Sequence, residues 1–333
     1  MSASAESSSP QLPSDAAPAG GALVLDGKAT ALAIQQELAA RVSALRARAA
    51  SAGLPPARRA PGLAVVLVGS RADRATYVRM KVAACAAVGI ADLGRSFPES
   101  ATTAELVAAV RALDGEPAVH GILVQLPLPA HVDEAAVLAA ISPPKDADGL
   151  ADANMGAAVL KGRRPGPRAC TPLGVIALLR RAGVRMAGAR AVVLGRSNIV
   201  GVPVAHMLLQ EDATVTIAHS KTRDLPALCR SADILVAAIG RPLFVQGDWV
   251  RPGAVVIDVG INAVPDASRK SGSRLVGDVD YAAAAARASA ITPVPGGVGP
   301  MTIAMLLTNT VDAYERELDA AIAAAAAAAA GAT

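Results

Sequence analysis

Tyr77 and Lys81 stand four residues apart in the alanine- and valine-rich stretch ATYVRMKVAAC, residues 75–85. On a helix that spacing puts both side chains on one face, a single turn apart. An aromatic ring beside an amine can give a planar ligand a flat surface and a proton acceptor. Taken alone the pair is ordinary helix-surface composition, and three further fragments give it a setting. VQLPLP at 124–129 puts Gln125 at the C-terminal end of a strand, the edge where open α/β sheets bind ligands. KDADGL at 145–150 puts Asp148 in a loop after that layer, where a turn or cap is its plain alternative. PVPGGVGP at 293–300 has three prolines and three glycines in eight positions, a stiff wall with few side chains against which a flat ligand can lie.

A different chemistry is written into GRSNIVG, residues 195–201, which follows an apolar strand and opens a helix. Glycines there let the backbone approach a pyrophosphate, whose charge meets the N–H groups of the helix N-terminus. The spacing departs from GxGxxG and is weak by itself, because turn glycines are common after strands. About twenty residues on, where an NAD site places an acid for the ribose hydroxyl, the chain reads His219, Ser220, Lys221, Thr222. Arg196, Ser220 and Lys221 can instead surround a 2′-phosphate, which favours NADP over NAD.

These groups need two α/β layers to position them. Residues 29–50 and 105–113 have helical spacing, and 72–88 is helical by composition. LAVVLVG (63–69) and GILVQLPLP (121–129) read as buried parallel strands, with a helix at 134–141 after them. Beyond a loop-rich tract, Thr171 and Pro172 form an N-cap and N1 pair. Strands at 191–195, 214–220, 233–240 and 254–261 then give a second, doubly wound unit. A long helix from Met301 fades into eight alanines at 323–330.

Composition narrows the function classes. The formal charge of +4 is spread over scattered basic residues, which speaks against a nucleic-acid partner. No run of eighteen strongly apolar residues suggests a membrane span. Cys85, Cys170 and Cys229 form no CxxC pair, so neither a disulfide framework nor a metal site is expected. Residues 1–21 read as a disordered extension without signal or transit character, and cytoplasm is the expected compartment.

YVRMK, VQLPLP, KDADG, GRSNIVG, VGIN and ITPVPGGVGPMT, in this order, closely resemble the bifunctional methylenetetrahydrofolate dehydrogenase/methenyltetrahydrofolate cyclohydrolase family, and VGSRADRATYVRMK looks most like its plant-type branch. The resemblance covers roughly residues 22–318. It implies two α/β domains flanking a cleft, the second a Rossmann-type NADP-binding domain, with the C-terminal helix returning to the first. The expected division is 22–148 plus 301–322 as the folate-binding catalytic domain, 149–300 as the NADP-binding domain and 323–333 as an alanine-rich tail. The implied activity is NADP-dependent oxidation of 5,10-methylenetetrahydrofolate, then hydrolysis to 10-formyltetrahydrofolate, in a homodimer.

By the same resemblance Lys81 matches the catalytic lysine, Gln125 the glutamine assisting it, Tyr77 the ring that stacks on the folate, and Asp148 the aspartate holding the pterin amino edge. Val124, Leu126 and the segment Pro295, Gly296, Gly297, Val298 and Gly299 match the substrate wall. Gly195, Arg196, Ser197, Ser220 and Ile261 match NADP positions. The chain departs from the family pattern at Arg74, Ala83, Ala151, Asp152 and Ala169. Arg74 replaces a serine near the site and leaves open a monofunctional dehydrogenase that stops at the methenyl stage. A non-catalytic NADP-binding protein on this fold is the other alternative.

Overall fold

A computed structural model of the chain describes residues 21–69, 72–160, 162–163, 166–269 and 272–330, the side chains of 72–78 and 329–330 excepted. The N-terminal extension expected at 1–21 therefore lies almost wholly outside the described residues. In chain order the first elements are β1 (Leu23–Val24), α1 (Gly27–Ser51), β2 (Gly62–Val68), α2 (Ala72–Val88), β3 (Ala91–Asp92), β4 (Arg95–Phe97), α3 (Thr103–Gly115), β5 (Gly121–Val124), α4 (Glu134–Leu138) and α5 (Asp152–Val159). Then come α6 (Cys170–Arg181), β6 (Arg190–Leu194), α7 (Gly201–Gln210), β7 (Thr214–Ala218), α8 (Leu225–Arg230), β8 (Ile234–Ala237), β9 (Val255–Asp258), β10 (Asn262–Pro265), β11 (Ser273–Val276), α9 (Tyr281–Ala285), β12 (Ala290–Ile291) and α10 (Val298–Ala330).

The chain divides into two compact units: Lys28–Gly174 with the segment from Pro300 onward, and Val175–Gly299 with the segment up to Gly27. In the first, β2 pairs with β3, β4 and β5, all parallel. β5 is buried at every position and β2 at all but one, so both are near-continuous apolar runs covered by helices. Val66, Leu106, Val110, Ile122 and Val124 form the core between that sheet and α3. A capping box starts α3, with Thr102 accepting from the Glu105 N–H and Glu105 accepting from the Thr102 N–H.

The second unit is a six-stranded parallel sheet in the order β1-β12-β9-β8-β6-β7. Val192, Leu235, Val256 and Ile291 anchor its core. The order reverses at β6, with β7 on one side and β8 on the other, which places a ligand crevice at the carboxyl ends of these strands. β10 and β11 form a separate antiparallel hairpin.

Three differences from the sequence-based expectations have physical causes. Residues 149–174 fall with the first unit, because Asn309 of α10 bonds the carbonyls of both Ala147 and Arg168 and ties that tract down. β1 joins the second unit's sheet beside β12 through Leu23–Ala290 and Val24–Ile291 pairing. Helix α6 begins at Cys170, ahead of the expected Thr171 cap. Pro172 is tolerated because first-turn N–H groups have no intrahelical acceptor, and the Thr171 hydroxyl meets that of Thr302 at 2.9 Å.

Candidate active site

β5 ends at Val124, so the next residue, Gln125, stands at the carboxyl edge of the first unit's sheet. Helix α2 runs beside β2 and offers Lys81 to the same edge. Lys81 Nζ donates to Gln125 Oε1 at 2.9 Å, and Gln125 Nε2 donates to the Leu126 carbonyl at 3.1 Å. That second bond fixes which end of the amide faces the amine. Val124 is buried, while Gln125 and Leu126 are partly exposed. Lys81 is also partly exposed, and its burial holds the amine below the usual lysine range, with the charge of Asp148 opposing the shift.

Asp148 lies in the loop after β5. Desolvation pushes its carboxyl up to about 6; the Lys81 charge works against this and Asp146 adds to it. The loop is clamped from several sides. Buried Asp146 accepts from the N–H groups of Gly149 at 3.1 Å and Ala151 at 2.7 Å, and from Asn154 Nδ2 at 3.2 Å. The Ala147 N–H bonds Ile122 O at 3.1 Å, and the Cys170 N–H bonds Asp148 O at 3.2 Å. Asn309, 4 % exposed within α10, donates to Ala147 O at 2.9 Å and Arg168 O at 2.8 Å. Asp146, Asn154 and Asn309 had no place in the sequence reading. The available signal was Thr-Asn-Thr at 308–310 inside an apolar helix, where Asn309 and Thr310 are both buried. Buried amides in such surroundings are there to satisfy backbone.

Cys85 and Cys170 lie near Lys81. Burial pushes Cys85 up to about 12 and Cys170 well above its ordinary value, so both remain thiols at neutral pH. Tyr77 falls on α2 one turn before Lys81; its side chain, like that of Arg74, lies outside the described residues.

In the second unit Leu194 pairs with Ala218 in parallel register. Arg196 and Ser220, each two residues beyond that pair, therefore follow the carboxyl ends of adjacent strands at the same sheet edge. Both are exposed, as are Ser197 and Lys221. The turn needs its glycines. Gly195 has φ +114°, a Cβ there would stand 2.1 Å from Ala238 O, and one on Gly201 would stand 2.3 Å from Gly195 O. Ser197 Oγ accepts from the N–H groups of Val200 at 3.2 Å and Gly201 at 3.3 Å, starting α7. The edge thus combines a close-packed glycine turn, a helix N-terminus, two cations and no carboxylate at the end of β7. That donor set fits a dinucleotide carrying a 2′-phosphate.

Ile261, 52 % exposed, belongs to the loop after β9, and its Cδ1 lies 3.5 Å from where a Cβ on Gly299 would be. The structure therefore brings Ile261 to the end of the Pro295–Gly299 segment. Gly297 is buried, and a Cβ on Gly27 would stand 1.6 Å from Gly297 O, so the start of α1 crosses that segment at backbone contact.

Residues 25–148 match the model of the tetrahydrofolate dehydrogenase/cyclohydrolase catalytic domain, and 169–318 match that of its NAD(P)-binding domain. The chain is 53 % identical over 295 residues to a bifunctional protein FolD 2 of Arabidopsis thaliana, covering 89 % of this chain and 96 % of the relative. It is 50 % identical to a FolD 4 of the same plant named chloroplastic, covering 93 % of this chain and 84 % of the relative. Among solved structures it is similar to the Trypanosoma brucei N5,N10-methylenetetrahydrofolate dehydrogenase-cyclohydrolase complexed with NADP cofactor and inhibitor, with TM-score 0.83, 46 % identity, and coverage of 89 % of this chain and 98 % of that one.

Proposed function

The chain belongs to the tetrahydrofolate dehydrogenase/cyclohydrolase family, and on that premise we propose that it oxidises 5,10-methylenetetrahydrofolate with NADP and hydrolyses the 5,10-methenyl product to 10-formyltetrahydrofolate. The observation that carries the reading is the 2.9 Å bond between Lys81 and Gln125, with Asp148 near enough to act on the amine's charge.

In the first step NADP, when bound, supplies the hydride acceptor. A folate nitrogen lone pair drives the hydride off the bridging carbon, so the protein's task is to align two flat rings rather than to provide a strong base. We assign Tyr77, one turn before Lys81, a face of the substrate. Val124, Leu126 and the Pro295–Gly299 segment we assign to its walls. Asp148 accepts hydrogen bonds from the pterin amino edge.

The methenyl product is a cation, and an ammonium beside it would raise its energy. Burial lowers the Lys81 pKa and so favours the neutral amine. A neutral amine that donates one N–H to Gln125 still has its lone pair. That lone pair takes a proton from the water attacking the methenyl carbon, and ring opening follows. Gln125 holds the amine in register, and Asp148 stays ionised at neutral pH.

We assign Arg196, Ser197 and Ser220 to the 2′-phosphate and adjoining phosphates, Gly195 to close backbone approach, and Ile261 to the nicotinamide side. We further propose a homodimer; its support is edge strand β7, which leaves Thr214, Thr216 and Ile217 exposed on the outer strand of the sheet. Among the described residues no helix is long and apolar enough to cross a membrane. We place the protein in the cytoplasm, a placement that imaging of the tagged full chain tests against an organelle. The functional test is a spectroscopic assay of purified protein with methylenetetrahydrofolate and either NADP or NAD. The reading expects turnover with NADP and no build-up of methenyl compound. Its accumulation would mean that the second step is missing.

A further inference from the structure

At the carboxyl ends of β8 and β9, two buried aspartates with no part in the mechanism above stand against each other. Asp258 is 3 % exposed and Asp278 is fully buried. Two neighbouring buried carboxylates repel each other, and burial pushes Asp258 up to about 6, with the charge of Asp278 adding to the rise. Their oxygens are nonetheless saturated by six N–H donors.

Asp258 Oδ1 accepts from the N–H groups of Gly260 at 3.0 Å and Asp278 at 2.9 Å, and its Oδ2 from Val279 at 2.9 Å. Asp278 Oδ2 accepts from the N–H groups of Ile239 at 2.7 Å and Gly240 at 3.0 Å, and its Oδ1 from Asn262 Nδ2 at 2.9 Å. The donors come from the loops after β8, after β9 and after β11, and from Asn262 at the start of β10. A further segment is reached through the Asp258 N–H, which bonds Thr292 Oγ1 at 2.7 Å just before the Pro295–Gly299 segment.

Glycine makes this proximity possible in a reciprocal way. A Cβ on Gly260, in the loop of Asp258, would stand 2.3 Å from Asp278 Oδ1. A Cβ on Gly277, in the loop of Asp278, would stand 1.8 Å from Asp258 Oδ2. Each aspartate thus lies against a glycine from the other's segment, in DVGIN and VGDVD.

The location gives the arrangement a use. In a doubly wound sheet whose order reverses at β6, a dinucleotide reaching toward β7 with its 2′-phosphate lays its other half over the ends of β8 and β9. We propose that Asp258 and Asp278 are positioning residues for hydride transfer, clasping the loops at 239–240 and 259–262 into the surface that receives the nicotinamide half of the cofactor. The inference rests on the dehydrogenase reading above. Charge-assisted acceptors hold those N–H groups more firmly than a neutral amide would, which is a reason to keep two acids where one carbonyl could cap each loop.

The test is Asp278→Asn in the full chain, with NADP binding measured directly by calorimetry, dehydrogenase kinetics, and hydrolysis of methenyltetrahydrofolate assayed without nucleotide. Losing one charged acceptor should weaken NADP binding or slow hydride transfer by about tenfold or more. Nucleotide-free hydrolysis should stay within about twofold, a change too small to report a lost interaction. Asn262→Ala, which removes one donor and no buried charge, should move the same quantities less and carries the test if Asp278→Asn does not fold. Parallel loss of hydrolysis and hydride transfer in the folded variant would make the pair a plain scaffold and overturn the proposal, as would unchanged NADP binding and hydride transfer. If the wild-type protein itself showed neither activity, the dehydrogenase reading would fall. The calorimetric NADP arm would still report on the clasp.

Discussion

Replacing Lys81 by methionine separates the two reactions. Methionine keeps the length and apolar character of the side chain but has neither a lone pair basic enough to take a proton from water nor an N–H for Gln125. A positioned general base contributes about 10²–10⁴-fold, or ~3–5 kcal/mol of barrier, so hydrolysis of the methenyl compound should fall by at least the lower of these. The lost 2.9 Å bond to Gln125 removes about 1 kcal/mol net of local order. Because burial already disfavours the Lys81 charge, the substitution should leave folding stability unchanged or slightly raised. Hydride transfer needs no base and should persist within a few-fold, so methenyl absorbance should accumulate during dehydrogenase turnover. The assay follows that absorbance with and without NADP. Wild-type hydrolysis in the variant would refute the proton-acceptor role, and equal loss of both activities would show that Lys81 only positions the substrate.

Three further outcomes follow from the same geometry. Asn309→Ala leaves the carbonyls of Ala147 and Arg168 without their donor, at about 1–3 kcal/mol for each unsatisfied group; the denaturant midpoint should drop and the folate KM rise more than the NADP KM, whereas equal rises would contradict the loop-clamp role. The Asp148 carboxyl, pushed up to about 6 from an ordinary 3.8, opposes folding while ionised, and that opposition is relieved as pH falls from about 6 toward 3.8. Asp148→Asn should therefore raise the denaturant midpoint above pH 7 while weakening folate binding, and a lowered midpoint would contradict the sign. Arg196→Ala should weaken NADP by roughly tenfold, the worth of one charged hydrogen bond, and leave NAD untouched; parallel loss of both would mean that Arg196 does not read the 2′-phosphate.

What the sequence carried was whatever follows from local pattern. The run LAVVLVG became β2, and Gln125 fell at a strand end because prolines follow it. Lys81 and Gln125, 44 residues apart in the chain, could be joined only through the family resemblance, since no periodicity encodes a contact between a helix and the next strand but two. Boundaries set by tertiary bonds were illegible. Residues 149–174 follow the first unit because one buried asparagine on the last helix reaches two carbonyls, and β1 is two residues whose strand character exists only beside β12. Asp258 and Asp278 carried no signal of their own in the sequence. Their pairing needs the close approach of Gly260 and Gly277, which no spacing announces.

Whether the amine at the folate site is uncharged when it is needed can be read directly by titrating the Lys81 side chain in isotope-labelled protein by NMR, alone and with a folate analogue bound. A midpoint below the ordinary lysine value of 10.5, falling further when a cationic methenyl analogue binds, is the predicted result. A midpoint at or above that value in both states would mean that the amine keeps its proton, and the proposed proton transfer from water could not occur.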